Sequence, residues 1–311
     1  MPTPMTSEQW ARFVLPIVRK EWYQRMAATP SPVSSLFGIE SSSSSVEYSQ
    51  GIGQFGLVPE YDSADAEGQP AAIAYDSFSP LYEKTFTHKE YAKGMAIKRK
   101  LWDDGRTGLI QRRARDFGYS FGTTLATHAA SVFNNAFSTS YLGSDAKALC
   151  ADDHPNRADD TSTTFDNKGT SALSYSAIVS TVQAGKRLTD DRGNPMPAIY
   201  NTLVLPIELE ATAIEILQAV AKPGAADHDA NAARLMTSMN IVVDPYLSDA
   251  NNWFMVDSLQ SREHLLWFWR VRPEFAIDPS GDFNLEARYR GYMRYSYGWD
   301  DWRFIYGHEV A

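Results

Sequence analysis

The 311-residue chain is 43% hydrophobic and 22% charged, enough for a sizeable apolar core in one large domain or two modest ones. Its 29 Lys and Arg against 38 Asp and Glu give a formal charge of −9, which argues against a general nucleic-acid coat, because phosphate binding is dominated by cations. One cysteine, Cys150, excludes an intrachain disulfide and a cysteine-based zinc cluster.

No stretch approaches the roughly 20 apolar residues of a membrane span, so no membrane partner is expected. Arg12, Pro16, Arg19 and Lys20 interrupt any apolar signal near the start, so the protein is expected in the cytoplasm or in particles assembled there. The 16 Tyr and 8 Trp suit surfaces that are apolar at one end and hydrogen-bonded at the other, as in subunit contacts; a Tyr-rich β-core accounts for them equally.

A helix is predicted over residues 7–28, capped by Ser7, with Trp10, Phe13, Val14, Ile17 and Val18 on its apolar side. Thr29-Pro30-Ser31-Pro32 and the run Ser41 to Ser45 cannot pack a core, which makes this region an arm, mobile unless a neighbour holds it. From Val46 an alternating, Gly-punctuated stretch runs to Tyr61, followed by a polar tip over 62–70 and a charged return leg, Tyr82 to Tyr91. This pattern predicts a two-legged β-arm with too few apolar residues for a core, and a lone two-stranded ribbon needs something to lie on.

The clearest helix is Thr107 to Phe137, where Ile110, Ala114, Phe117, Phe121, Leu125, His128, Val132 and Ala136 recur at steps of three and four. Asp103-Asp104-Gly105 precedes it as a turn, and its length is about 45 Å. Gly118 and Gly122 imply close packing against another element or a local bend. Residues 138–170 are polar. A helix follows at 174–188, then the turn 190–195, the strand Thr202–Leu205, a helix at 207–220, the strand Asn240–Val243 and Trp253–Val256, an α/β block over 170–258. Leu265–Trp269 is an intensely apolar strand closed by Pro273. Asn284 to Tyr297 alternates Arg288, Arg290 and Arg294 with Tyr289, Tyr292 and Tyr295, and Trp302–His308 completes a strand-rich end. The fold class is α+β.

Candidate chemistry is sparse. Asp152, Asp153, His154, Asp159 and Asp160 could offer oxygen ligands to a cation, but the spacing is not that of an EF-hand, and a solvated loop is the simpler reading. Cys150 beside Asp152 and His154 invites a nucleophile reading that spacing alone does not establish. The six histidines (88, 128, 154, 228, 264, 308) include no i, i+4 pair, and His264 reads as a strand boundary. Gly51-Ile52-Gly53-Gln54-Phe55-Gly56 has its third Gly one position early for a phosphate-binding loop and opens a β-arm. The Arg/Tyr stripe of 288–297 would suit stacked bases, yet the net charge favours an amphipathic strand near a subunit boundary. No catalytic, cofactor-binding or metal residues are assigned, and no cofactor is expected.

The order of parts, together with Phe86–Gly94, Trp102-Asp103-Asp104, Leu149–Pro155, Asn201–Pro206 and Tyr297–Gly307, resembles the major capsid proteins of tailed bacteriophages, and most closely the Mu-like prophage major head subunit family. The resemblance implies a Hong-Kong-97-like fold: an N-terminal arm at 1–45, an extended β-hairpin E-loop at 46–100 lying over an adjacent subunit, and a P-domain at 101–194 with spine helix 107–137. An A-domain at 195–258 and a β-rich return to the P-domain at 259–311 complete it. It implies a non-enzymatic subunit that forms hexamers and pentamers in an icosahedral head, located in the virion and assembled in the bacterial cytoplasm. Double-stranded DNA would be enclosed without sequence-specific binding. About 45 residues precede the β-arm, too few for a cleaved scaffolding segment, so a separate scaffolding protein or protease and a portal are the expected partners. An encapsulin-like shell and a tail-tube subunit are the alternatives. Lys84, Lys89 and Lys93 lie on the arm, but none is assigned the crosslinking role known in one relative.

Overall fold

The computed structural model describes residues 7–29, 32–52, 54–58, 73, 75, 80–156, 163–220, 231–236, 238–278 and 285–311. The chain opens with helix α1 (Ser7–Ala27), a 3₁₀ turn and the strands β1 (Gly38–Ser41), β2 (Val46–Ile52), β3 (Pro80–Thr87) and β4 (Lys89–Lys98). The short helix α2 (Arg99–Asp103) leads through Gly105, whose positive φ permits the turn, into the long helix α3 (Thr107–Asn134). Next come β5 (His154–Pro155), β6 (Thr164–Phe165), β7 (Lys168–Gly169), α4 (Tyr175–Gly185), β8 (Thr202–Leu205), α5 (Glu210–Gln218), α6 (Ala232–Met236), β9 (Asn240–Val243) and β10 (Trp253–Val256). The chain ends with α7 (Ser258–His264), β11 (Leu265–Asp278), β12 (Glu286–Trp299) and β13 (Ile305–His308).

Two sheets carry the fold. The first has the order β1-β11-β12-β4, and the second β7-β13-β10-β8-β9. In β12 the residues alternate: Ala287, Tyr289, Met293 and Tyr295 are buried toward the helices, while Arg290 on the other face is exposed. Beneath the first sheet α1 and α3 form a helical layer. The 28 residues of α3 reach about 42 Å. Its buried stripe is the expected one through Ile110, Ala114, Phe117, Phe121 and Val132, with Leu125 and His128 half-buried at its margin.

Gly118 and Gly122 are explained by close packing. A Cβ on Gly118 would lie 2.3 Å from the carbonyl oxygen of Trp22, and one on Gly122 would lie 2.5 Å from Thr29 Oγ1. Backbone meets backbone where α1 crosses α3, as glycine alone allows.

Three expectations need correction. The expected N-terminal arm is not free of the body: Trp10, Val14, Val18 and Trp22, four residues apart, are buried against α3 and the first sheet, and Phe13 is the exposed one. A stripe of large apolar residues at helical spacing outweighs the Ser/Pro-rich tract that follows it. The ribbon is also shorter than 46–100. β2 pairs only with β3, and β4 leaves it at His88 to pair with β12 from Lys89↔Tyr295 to Lys98↔Glu286. Finally, Pro273 does not close its strand. β11 continues to Asp278 through register shifts on either side of Val271, an irregularity that accommodates a residue without a backbone N–H.

The expected α/β block is present, with α4 capped by Ser174 Oγ, which accepts from the backbone N–H of Ala177 3.2 Å away. It is not self-contained, however. Its sheet is completed by β13 from the end of the chain and β7 from the polar segment.

Candidate assembly surfaces and the buried polar knot

The β2–β3 ribbon is held at its root and bare beyond it. Phe86 is buried on Leu266 and Phe268, on the face of the first sheet opposite the helices. His88 sits between Ser42 Oγ and Ser296 Oγ, each 3.0 Å away. Ser49 Oγ donates to Asp300 Oδ2, the Gln54 backbone N–H donates to Asp191 Oδ1 at 3.0 Å, and Lys84 Nζ donates to the Leu142 carbonyl. Burial lowers the Lys84 pKa, opposed by the charge of Asp145.

Past this root the side chains turn outward. Tyr48, Phe55, Leu57 and Ile73 are exposed, Tyr75 is 91% exposed and Val58 95%. Tyr48 lies in β2 and the others between β2 and β3, and so many exposed apolar groups leave surface that one copy does not cover. The expected tip, 62–70, lies outside the described residues, as does Gly53 of the glycine run, while Gly51 lies in β2.

A shallow acidic cleft lies under the ribbon root, lined by Asp145, Asp190, Asp191, Asp300 and Asp301 with His264 and Arg303. Burial disfavours the His264 imidazolium, but the hydrogen bond to Asp300 Oδ1 at 3.0 Å and the charges of Asp301, Asp300 and Glu263 outweigh it and raise the pKa. His264 does mark a strand boundary, since α7 ends there and β11 begins.

The Asp152–Asp160 cluster is taken apart by the fold. Asp152 and Asp153 are exposed, Asp153 pairs with Lys147, and Asp159 and Asp160 lie outside the described residues. His154 is the opposite of a solvated loop residue. It is fully buried, stacks on Trp302 with ring centroids 4.4 Å apart, and places Nδ1 2.6 Å from Asp145 Oδ2 and Nε2 3.1 Å from Asn167 Oδ1. Asn167 is the hub: its Nδ2 donates to the carbonyls of Leu149 (2.9 Å) and Ile305 (3.1 Å), and its Oδ1 accepts from the Ala151 N–H (2.8 Å). The knot ties the polar segment to β13. A lone Asn in a polar stretch carries no sequence signal of such a role. Among the described residues no group of three or more His, Cys, Asp and Glu side chains is placed to hold a metal ion.

Cys150 is buried, with burial pushing its thiol pKa upward, so it is not poised as a nucleophile. His128 bonds to Tyr295 Oη at 2.6 Å, and His308 lies flat on Trp253, centroids 3.9 Å apart. His228 is outside the described residues. The Arg/Tyr stripe is divided by the pleat: Tyr289 and Tyr295 are buried among the helices, and the arginines face away with Tyr292. Arg294 pairs with Glu90 at 3.8 Å and Arg288 with Glu286 at 3.7 Å.

A family model described as phage capsid protein matches residues 82–307, which include the long helix, the second sheet, the first sheet apart from β1, and most of the ribbon's return strand. The chain belongs to the phage capsid protein family. It is a structural shell subunit of a phage head, a component of the virion. Among solved structures it is similar to the procapsid of bacteriophage JBD30, with a TM-score of 0.51 and 14% identity over 95% of this chain and 73% of that one. It is also similar to the capsid of the cyanophage P-SCSP1u (TM-score 0.55, 10% identity, 91% and 89%). A third similar structure is the virus-like particle from Pyrococcus furiosus (TM-score 0.54, 9% identity, 94% and 97%). These likenesses show the fold, the Hong-Kong-97 type expected from the sequence. No curated protein matches the chain by sequence. Among the described residues no helix is long and apolar enough to cross a membrane.

Proposed function

We propose that this phage capsid protein is the major head subunit of a tailed phage of the Mu-like type, forming hexamers and pentamers that close around double-stranded DNA. The observation that carries the assembly part is the ribbon, anchored at Phe86, Ser49 and Gln54 and apolar beyond. In a monomer those side chains face water, and in a shell they lie over the adjacent subunit. We read residues 46–88 as the E-loop, α3 as the spine helix, about 195–258 as the A-domain around the capsomer axis, and the remainder as P-domain. The helix at 7–27 is then a fixed part of the P-domain and not an arm. Many modest contacts per copy add up to a closed shell. A separate scaffolding protein or protease and a portal complete this reading.

Replacing residues 55–79 by a short Gly/Ser turn removes the stretch beyond the root and spares the Gln54 anchor, β4 and the first sheet. The variant is expected to stay folded and soluble and to form no closed shells by negative-stain electron microscopy. Shells from that variant would refute the mechanism. A second reading is a shell of the same fold with protein cargo, since the fold is shared with a virus-like particle as well as with phage heads. Nuclease-protected DNA in purified particles supports the head, and its absence with a co-purifying protein supports the second reading.

A further inference from the structure

His88 stands where the ribbon leaves the body. β3 ends at Thr87, β4 begins at Lys89, and the residue between them is 5% exposed. Its ring joins three parts of the chain: Nε2 lies 3.0 Å from Ser42 Oγ, in the lead-in to β2, and Nδ1 lies 3.0 Å from Ser296 Oγ on β12. The backbone N–H of Ser42 donates in turn to the Trp269 carbonyl at 2.9 Å, so both ends of the ribbon are fastened to the first sheet around one imidazole.

The partners fix which nitrogen carries the hydrogen. Ser42 has one hydroxyl proton, and its close contact with Glu47 Oε1 requires that proton between the two oxygens, because a carboxylate only accepts. Ser42 Oγ therefore accepts from His88 Nε2–H, which leaves Nδ1 as the acceptor for the Ser296 hydroxyl. A second proton on the ring would go to Nδ1 and meet that hydroxyl head-on. Ser296 is 6% exposed and makes no other hydrogen bond among the described residues, so its hydrogen has nowhere to turn. The surrounding charges act with this geometry. Burial is the largest influence against an imidazolium here; Glu47 on β2 attracts one, Arg294 on β12 and Arg270 on β11 repel it, and together they hold the His88 pKa below its ordinary value. Arg294 is itself paired with Glu90 of β4 at 3.8 Å, while Lys89 acts on His128.

We infer that His88 is an acid-sensitive clasp on the ribbon: neutral, it closes the root onto the first sheet, and protonated it lets the root open. The apolar seat of Phe86 does not titrate, so acid loosens the ribbon without shedding it. The root is at full strength above the ordinary histidine pKa of about 6.5 and weakens as pH falls through the lower folded value. That this governs assembly rests on the head-subunit reading above, in which the ribbon lies over the adjacent copy.

The test is hydrogen exchange by mass spectrometry on the full-length, unassembled subunit between about pH 7.5 and 5, with rates corrected for their intrinsic pH dependence. Peptides covering the root, 42–48 and 84–90, are expected to lose protection about fivefold or more, with a midpoint below about pH 6.5, while α3 and the second sheet keep theirs. Arg294→Gln removes one repelling charge and should move that midpoint to higher pH, which a purely structural histidine would not do. His88→Gln does not titrate and should make protection at the root independent of pH. Constant protection in the wild type, a loss spread evenly over the chain, or a wild-type response in His88→Gln would each overturn the inference. If His88→Gln fails to fold, the comparison of wild type with Arg294→Gln decides, and an unmoved midpoint overturns it. A subunit that makes no shells at neutral pH refutes the head-subunit reading and leaves the exchange result standing, whereas shells with an unresponsive root refute only the clasp.

Discussion

The crossing of α1 on α3 can be tested with two substitutions of identical chemistry in one helix. In Gly118→Ala the new Cβ falls 2.3 Å from the Trp22 carbonyl oxygen and 3.0 Å from its carbonyl carbon and Cα. Relief requires about 1 Å of separation between the two helix backbones. Trp22 is fully buried, with ring centroids 5.2 Å from Phe121 and 5.3 Å from Phe275, so α1 cannot lift without disturbing three aromatic contacts. Overpacking of this kind costs about 1–3 kcal/mol, and because backbone meets the new methyl the upper end applies. Helix propensity returns about 0.8–1 kcal/mol for Ala over Gly, leaving a net loss of about 2 kcal/mol. In Gly108→Ala the Cβ meets nothing within 4 Å, so only the propensity gain remains, about 0.5–1 kcal/mol. Urea unfolding of the unassembled subunit should separate the two variants by about 2–3 kcal/mol, with assembly excluded because it adds stability by mass action. A Gly118→Ala protein as stable as Gly108→Ala would show that the helices do not meet as closely as described.

Other outcomes follow from the buried polar groups. Asn167→Ala strands the carbonyls of Leu149 and Ile305, the Ala151 N–H and His154, and should cost about 3 kcal/mol or more, while Asp152→Ala, on an exposed residue, should stay within about 0.5 kcal/mol by thermal denaturation. Burial lowers the His308 pKa to about 4, below the ordinary value of about 6.5 for an unfolded chain. Between those values the unfolded state takes up a proton that the fold refuses. His308 therefore costs nothing above about pH 6.5 and removes up to about 3 kcal/mol as pH falls to 4. His88 and His128, lowered chiefly by burial, act in the same sense. His264, raised, acts oppositely: its contribution is complete below its unfolded pKa and lost as pH rises through the folded one. His308→Gln should flatten the acid limb of stability against pH, and an unchanged limb would show that His308 is not the group responsible. Cys150 should resist alkylation in the folded subunit and react only on unfolding, as followed by mass spectrometry.

What the sequence by itself determined was local. The three- and four-residue spacing of α3, the strands at Thr202–Leu205, Asn240–Val243 and Trp253–Val256, and the alternation of β12 all lie where periodicity places them, because each depends on near neighbours along the chain. Tertiary structure decided whatever depends on residues far apart. Sequence distinguished neither packing nor bending at Gly118 until Trp22 came to lie against it. The ribbon's charged return leg continues without a break into β4; only pairing with β12, some 200 residues on, removes Lys89–Lys98 from the arm. His154 looked like part of an acidic loop because its partners Asn167 and Trp302 are 13 and 148 residues away, and burial among them is a property of the fold alone.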